Sequence, residues 1–314
     1  MKMNANEYMF RAVKVSLCGN IVLFSIKAAT LIFVNSLAIA VDLGISFVAL
    51  VVSVILFYSI KIANRPADLL HNYGYGKIEH VCEVMEGVIL IGIALAMSSQ
   101  AIMGILHPKH ITSAWLGLTT SIIGVIINCV GGAYILIMAK KSFSPAIRAE
   151  ALHYFLEGFI SFAITSAFIL TIVLQAKGQT ELGSYVDPLA ALLVSIIITI
   201  PSFKLAKHAF LKLLDASMEE EGKMEIVKQL AMHVDKYCEF KDLKTRTAGR
   251  KKFVELKIIL PQVLSFKKGY EVAAFLENGI KNNIPNSEIL IQIQPCRQDC
   301  EVIKQNKRCP YLSC

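Results

Sequence analysis

The chain has 314 residues, of which 55% are hydrophobic and only 18% are charged, and its mean hydropathy is +0.56. This composition excludes an ordinary soluble enzyme, because soluble chains carry about 25% charged residues. The charge is also unevenly distributed: 10 of the 24 Asp and Glu residues lie in residues 1–204, and 14 lie in the last 110. The asymmetry predicts a membrane domain followed by a water-soluble domain.

The formal net charge of +8 is typical of a membrane protein whose cytoplasmic loops are rich in Lys and Arg. A nucleic-acid partner requires a basic face interleaved with aromatic residues, and the sequence has no such stripe. We therefore expect the lipid bilayer, and no nucleic acid, as a partner.

Six apolar segments are long enough to cross a bilayer, which takes about 20 residues. In chain order they are roughly Val15–Phe33, Leu37–Ser59, Cys82–Leu106, Ala114–Met138, Ala149–Leu174 and Pro188–Phe203. Nine Lys and Arg residues flank the spans on one side, against two, Lys109 and Lys177, on the other. This bias predicts a multi-pass protein of the cytoplasmic (inner) membrane with both termini in the cytoplasm. No cleavable signal peptide is predicted, because the first apolar run lacks a cleavage pattern and further spans follow.

The last third of the chain alternates between helical and strand periodicity. The pattern gives a helix, two strands, a helix and a strand, at Met218–Tyr237, Leu243–Thr247, Phe253–Leu260, Tyr270–Ile284 and Glu288–Gln294. This α-β-β-α-β order predicts a small α+β domain with a helical face on an antiparallel sheet. The expected domains are a membrane domain over residues 1–210, a cytoplasmic domain over 211–295 and a Cys-rich extension over 296–314.

Five segments, taken in their order along the chain, resemble segments of a known family. They are Asn35–Asp42 at the start of span two, Pro66–Glu79 after it, Arg148–Glu157 in span five, Tyr185–Ala191 before span six, and Thr245–Gly249 in the tail. Together they resemble the cation diffusion facilitator family of divalent metal efflux transporters. The resemblance runs from about residue 10 to residue 295 and preserves the order of six spans and a tail.

The resemblance implies a secondary transporter rather than an enzyme. It implies a homodimer whose tail, of metallochaperone-like shape, dimerises in the cytoplasm. It also implies export of a divalent metal in exchange for protons. The family's transport site is tetrahedral, with two ligands from span two and two from span five.

Span five carries two ionisable residues at the spacing of the family's ligands. His153 and Glu157 stand at i and i+4, which places them on one helix face, with Glu where Asp is usual. An ionisable group inside a bilayer is costly and marks a pathway or a partner. We expect metal ligands here, and the alternative is a hydrogen bond between the two side chains.

Span two lacks both of its expected ligands, because the family register places Ile45 and Ala49 at those positions. Asp42 lies three residues, about 4.5 Å, further outward along the helix and shares a face with Ser46. We therefore hypothesise a displaced metal site built from Asp42, Ser46, Glu157 and, at its inner edge, His153. Its oxygen-rich ligands favour a harder ion, Mn²⁺ or Fe²⁺, over Zn²⁺.

Two further groups of polar residues are weaker candidates. Glu79, Glu83 and Glu86 form an acidic stripe at the start of span three, which is either a solvated helix end or a vestibule that attracts cations. In the loop between spans two and three, Asp68 and His71 match a second metal position of some family members. Two ligands rarely hold zinc, so a structural turn is the alternative there.

The tail has lost the His and Asp residues with which metal-binding members bridge their tails. The same register places other residues there, namely Lys241, Lys257, Tyr270, Gln292 and Gln294, so we expect dimerisation without bridging metals. The terminal Cys296, Cys300, Cys309 and Cys314 could bind zinc or an iron–sulfur centre, sense redox state, or have no function. A disulfide framework is not expected in the cytoplasm.

The sequence therefore supports two functional hypotheses of different class. The first is efflux of a divalent transition metal, with Zn²⁺, Fe²⁺ or Mn²⁺ as substrate, by metal/proton antiport. The second is a transport-inactive paralogue that acts as a regulatory or heteromeric partner or as a metal or redox sensor. A membrane enzyme has little support, because His153 and Glu157 form the only catalytic-looking pair.

Overall fold

The computed structural model describes residues 5–33, 37–107 and 114–296 of the chain. The described chain divides into two compact units, the first ending at Phe210 and the second beginning at Leu211. Within the first unit, side chains 37–42, 114, 180, 187 and 194 lie outside the described part. The two units are considered separately below.

The first unit consists of six helices, each long and apolar enough to cross a membrane. They are α1 (Ala5–Phe33), α2 (Leu37–Ala63), α3 (Ile78–Leu106), α4 (Ala114–Ser142), α5 (Pro145–Ala176) and α6 (Thr180–Leu213). The predicted six-helix membrane domain is confirmed. Several helices extend beyond their apolar segments, because polar residues at the membrane surface continue the same helical turns. At the start of α5, Ser144 accepts a hydrogen bond from the Ile147 backbone and Pro145 follows at the first position, a favourable helix start.

Helix α5 contacts at least three other helices of the first unit. It packs against α4 and α3, while α1 packs against α2 and α4. At the α4–α5 contact, a Cβ atom on Gly131 would lie 2.8 Å from Cε1 of Tyr154, so this close approach requires glycine. The Tyr154 hydroxyl donates a 2.6 Å hydrogen bond to the Ser16 carbonyl on α1. These contacts hold three helices around the inner face of α5.

An apolar cluster joins α2, α3, α5 and α6. Its buried members are Ile45, Leu90, Ile93, Ala94, Met97, Leu156, Ile160 and Ile198. Such a cluster excludes water from its interior. It lies beside the face of α5 that carries Glu157, since Leu156 and Ile160 flank that residue in sequence.

The second unit has the predicted α-β-β-α-β order. Its elements are α7 (Glu220–Ala231), β1 (Glu239–Ala248), β2 (Lys251–Leu260), α8 (Phe266–Asn283) and β3 (Ser287–Pro295). Apolar residues of both helices, Ile226, Leu230, Leu276 and Ile280, pack against apolar residues of the sheet such as Leu256. The predicted small α+β domain is confirmed.

The prediction of an antiparallel sheet was wrong for one of its two pairings. Strand β2 is antiparallel to β1 but parallel to β3, in the order β1-β2-β3. The reason is the connection: α8 carries the chain back to the end where β2 began, and a crossover helix of this kind joins parallel strands. Strand β1 is also longer than predicted, because a register shift near Asp242 interrupts its alternation.

Candidate metal centre

One face of α5 presents three ionisable side chains toward the inside of the helix bundle. Glu150, His153 and Glu157 follow the i, i+3, i+7 spacing of a single helix face, and all three residues are buried. The Nε2 atom of His153 lies 3.4 Å from Oε1 of Glu157. The structure therefore brings together the two residues that the sequence predicts in span five.

The His153–Glu157 pair is close but lacks hydrogen bonds. Neither ring nitrogen of His153 and neither carboxylate oxygen of Glu157 has a hydrogen-bond partner in the described part of the chain. Buried polar atoms are almost always hydrogen-bonded, and exceptions need an explanation such as a ligand or an ion. The 3.4 Å separation is longer than a typical N–H···O hydrogen bond, which spans about 2.7–3.2 Å.

Asn128 on α4 completes the same polar pocket. Its side chain is fully buried, and neither atom of its amide has a hydrogen-bond partner among the described residues. It lies within reach of the Glu157 carboxylate. An amide oxygen is a suitable ligand for a hard cation, so Asn128 belongs to the group of side chains that a metal ion could contact.

Helix α2 presents an apolar surface where the family register expects ligands. Ile45 and Ala49 are both buried, 7% and 1% exposed, and Ile45 belongs to the apolar cluster that includes Leu156 and Ile160. Ser46 is also buried. The Asp42 side chain lies outside the described residues, so its place in the displaced site stays a prediction.

A lysine on α1 reaches into this region. Lys27 is 2% exposed, and its ammonium group donates a 2.7 Å hydrogen bond to the Ser46 hydroxyl. Its positive charge also acts on the Glu157 carboxylate. The region in which we hypothesise the displaced metal site therefore already contains a positive charge, the ammonium group of Lys27.

The described residues contain no group of three or more His, Cys, Asp and Glu side chains that could hold a metal ion. His153 and Glu157 are two side chains of this kind, and Asn128 and Ser46 are buried neutral polar residues of the same domain. Two strong ligands with neutral oxygens suit a transient substrate better than a structural ion, since structural zinc takes four strong ligands.

Comparison with known protein families shows which family the chain belongs to. A model described as "Cation efflux transmembrane domain" matches residues 13–214, and one described as "Cation efflux protein, cytoplasmic domain" matches residues 220–296. The chain belongs to the cation diffusion facilitator family. Members of this family are cation efflux transporters, and the second match is to the family's dimerisation domain.

Two relatives in this family share the same sequence identity with the chain. The cation-efflux pump FieF of Shewanella oneidensis is 25% identical over 288 residues, which cover 90% of this chain and 93% of the relative. The cation-efflux pump FieF of Escherichia coli K12 is 25% identical over 257 residues, 82% of this chain and 80% of the relative. The similarity therefore spans both domains.

The loop between α2 and α3 of this family member forms a turn around Asp68. The Asp68 carboxylate accepts hydrogen bonds from the backbone of Leu70 and His71 and from the Tyr75 hydroxyl, at 3.0, 2.7 and 2.6 Å. The Tyr75 hydrogen bond is the main reason that the pKa of Asp68 lies below its usual range. His71 lies 3.4 Å from Asp68 and stacks on Tyr75. Both loop residues are exposed, and their hydrogen bonds are those of a polar turn.

The acidic stripe on α3 is not a solvated helix end, because all three of its carboxyl groups are buried. Glu79 accepts a hydrogen bond from Ser144 at 2.5 Å. Glu83 lies 3.2 Å from His80 on the same helix. The stripe thus contributes to helix packing within the membrane domain rather than facing open water.

Three of the five tail positions at which we expect ligands to be missing lie side by side in the sheet. Lys241 pairs with Lys257 across β1 and β2, and Lys257 pairs with Gln292 across β2 and β3. Lys257 forms a 2.6 Å ion pair with Asp242. Of the four terminal cysteines, Cys296 is buried as a free thiol, and Cys300, Cys309 and Cys314 lie outside the described residues.

Sequence reasoning missed three polar residues of the membrane domain. Lys27, Asn128 and Glu150 each stand in or next to an apolar run, and each is buried in the helix bundle. A charged residue in a span is by itself a signal of function, so Lys27 and Glu150 could have been singled out. Asn128 gave no comparable signal, because only the packing of α4 on α5 brings it to Glu157.

Proposed function

We propose that this chain exports a divalent transition metal across the cytoplasmic membrane in exchange for protons. The observation that carries the proposal is the buried His153–Glu157 pair, whose four polar atoms lack hydrogen-bond partners in the described part of the chain. The name of the FieF relatives, cation-efflux pump, supports the same direction of transport. Zn²⁺, Fe²⁺ and Mn²⁺ are the candidate substrates.

The coupling to protons follows from the chemistry of the two ligands. A metal ion binds neutral imidazole and ionised carboxylate, so protons and metal compete for His153 and Glu157. In the exchange, each ligand gives up its proton when the metal arrives and takes one up when the metal leaves. Rocking of the helices around this site would open it alternately to the two sides of the membrane.

The displaced site adds Asp42 and Ser46 of α2 to His153 and Glu157. With Asn128 also in reach of Glu157, oxygen atoms outnumber nitrogen among the candidate ligands, which favours Mn²⁺ or Fe²⁺ over Zn²⁺. For Ser46 to contact the metal, the ammonium group of Lys27 must leave it, because two cations repel at such short distances.

The proposed assembly is a homodimer with its tails in the cytoplasm. The match to the family's dimerisation domain supports the dimer, and the excess of Lys and Arg on one side of the spans supports the orientation. Cysteines introduced at two exposed positions, Asn72 and Gln179, would report the orientation. An impermeant thiol reagent applied to intact cells should modify Gln179→Cys and should not modify Asn72→Cys.

Two specific observations favour a second candidate, a transport-inactive paralogue that regulates or partners another transporter. Ile45 is part of an apolar cluster at a ligand position, and Lys27 places a fixed positive charge beside Glu157. Both features weaken a metal site. In this case the purified membrane domain would hold no metal.

Flux measurements in proteoliposomes separate the two candidates. Proteoliposomes with the wild-type protein should accumulate at least one of Zn²⁺, Fe²⁺ and Mn²⁺, and those with the His153→Ala/Glu157→Ala variant should not. The matched control is His80→Ala/Glu83→Ala, which removes another buried His–Glu pair, 3.2 Å apart on α3, and should retain transport. Wild-type protein that neither binds nor moves any of the three metals supports the inactive paralogue.

A further inference from the structure

A pair of acidic side chains lies inside the helix bundle, separate from the His153–Glu157 pair. Glu86 on α3 and Glu150 on α5 are each 1% exposed. Their carboxyl groups lie within hydrogen-bonding reach of each other. Two carboxyl groups in contact are unusual inside a helix bundle, where the burial of even one charge is costly.

The side chains around this pair donate too few hydrogen bonds to satisfy all of its oxygen atoms. One oxygen of Glu150, Oε1, accepts from the Ser53 hydroxyl at 2.9 Å and from the Ser16 hydroxyl. Its other oxygen, Oε2, and both oxygens of Glu86 accept no hydrogen bond from any donor in the described part of the chain. Asn20 points its amino group at Ser53 at 2.7 Å, and its own carbonyl oxygen is likewise buried without a partner. The cluster therefore contains four buried acceptor oxygens and no donor to occupy them.

Among the described residues, no lysine or arginine acts on the Glu86 carboxyl group. On α3 and α5 the titratable side chains near the pair are Cys82, Glu83, His153 and Tyr154. Helices α1 and α2 contribute the hydroxyl and amide groups of Ser16, Asn20 and Ser53, and α6 approaches α3 here through Ala206, at Gly87. His153 is the one base among these neighbours, and Glu157 lies closer to it, at 3.4 Å.

We propose that Glu86 and Glu150 share a proton and form a second proton-carrying site of the transporter. A proton between the two groups converts one carboxylate to an acid, which donates a hydrogen bond to the other. This arrangement supplies the missing donor and removes one of two adjacent negative charges, as in other buried carboxyl pairs. In the exchange, the acid's O–H bond breaks, the proton leaves to water, and both groups remain as carboxylates.

The position of the pair links this proton to the metal site, and this step rests on the proposed metal/proton antiport. Glu150 precedes His153 by three residues and Glu157 by seven, which is about 4.5 Å and 10.5 Å along the helix axis. A divalent cation held by His153 and Glu157 stabilises the ionised pair through Coulomb attraction at this range. Arrival of the metal therefore favours release of the shared proton, and departure of the metal favours its return.

Infrared spectroscopy of the purified, metal-free protein tests the shared proton without requiring transport. At neutral pH the wild type should show the carbonyl stretch of a protonated carboxylic acid that shifts in heavy water. Glu86→Gln and Glu150→Gln should each lose this band, because the new amide donates to the remaining carboxylate and allows it to ionise. Glu83→Gln, one turn away on α3, keeps both carboxyl groups and should retain the band. A wild type without the band, or a band that persists in both pair variants, overturns the proposal.

Proton release on metal binding tests the coupling. Zn²⁺ and Mn²⁺ are added separately to weakly buffered protein with a pH indicator. Glu86→Gln should release about one proton fewer per bound metal than the wild type, and Glu83→Gln should match the wild type. Equal release from Glu86→Gln and wild type overturns the coupling. A wild type that binds neither metal overturns the proposed antiport instead, while the infrared band still decides whether the acid pair exists.

Discussion

Lys27 on α1 donates a 2.7 Å hydrogen bond from its ammonium group to the hydroxyl of Ser46 on α2. Both side chains are buried, and Ser46 directly follows Ile45, the position at which the family resemblance predicts the first ligand of span two. A buried ammonium group is stable only when nearby polar or negative groups compensate its charge. The membrane domain of this family member therefore contains its own cation next to Glu157, in the region assigned to the substrate.

Removal of this charge should strengthen metal binding. We expect Lys27→Met to raise the affinity for Mn²⁺ and Zn²⁺ about tenfold or more, because the ammonium group no longer repels the incoming cation. Lys27→Arg keeps the charge and should leave the affinity near that of the wild type. Isothermal titration of the purified protein measures both, and a Lys27→Met variant that binds metal no better than Lys27→Arg contradicts a competing role for the ammonium group.

Restoration of the two missing ligands should change both affinity and stability. Ile45→Asp/Ala49→Asp should bind Zn²⁺ more tightly than the wild type, since four strong ligands then surround the ion. Without metal, the same variant should lose about 3 kcal/mol of unfolding free energy, because two carboxylates replace apolar side chains in a buried position.

The matched control for this variant is Ile45→Asn/Ala49→Asn. It changes the packing by a similar volume but adds no charge, so it should be destabilised without a gain in zinc affinity. Zinc titration and thermal unfolding with and without metal provide the two readouts. Equal zinc affinity in the Asp and Asn variants would show that positions 45 and 49 do not face the site.

The close approach of α4 and α5 depends on Gly131. Gly131→Ala should lower the unfolding free energy by about 1–3 kcal/mol, because the new Cβ overlaps the Tyr154 ring. Gly92→Ala on α3 is the control: nothing lies within 4 Å of its added Cβ, and alanine favours the helix. Thermal unfolding in detergent should therefore give a lower Tm for Gly131→Ala and an equal or higher Tm for Gly92→Ala.

The tail domain provides a pH-dependent contact that is separate from transport. The ion pair with Lys257 holds the pKa of Asp242 below its ordinary value of 3.8. Since this pKa is depressed in the folded state, the contact contributes fully above pH 3.8 and is lost as the pH falls through the lowered pKa. Lys257→Gln should raise the pKa of Asp242 toward 3.8, as measured by NMR titration of residues 211–296. Lys241→Gln is the control, because it leaves the Asp242–Lys257 pair in place and should raise the pKa of Asp242 less than Lys257→Gln does.

Much of the fold was predictable because its signals are local. An apolar run of about 20 residues predicts a spanning helix whatever surrounds it, so all six helices followed from hydropathy. The alternation in Phe253–Leu260 likewise predicted β2. The direction of β3 was not predictable from alternation, because a strand has the same period whether its neighbour is parallel or antiparallel.

The candidate site was predictable only for those of its residues that lie on the same helix. His153 and Glu157 are one turn apart, and helix geometry alone places them on a common face. Their burial against Asn128, and the hydrogen bond between Lys27 and Ser46, required helices that are distant in sequence to pack side by side. The residue periodicity of one helix does not indicate which other helix will pack against it.

The sequence by itself determined the six spans, the composition of the tail domain, the ionisable pair on α5 and the apolar residues at positions 45 and 49. Only the tertiary structure decided that Lys27 reaches Ser46, and that Glu86 meets Glu150 among serine hydroxyls. The physical reason is the range of the interactions involved. Helix formation and membrane insertion depend on neighbouring residues in the chain, whereas contacts between polar side chains depend on the packing of several helices at once.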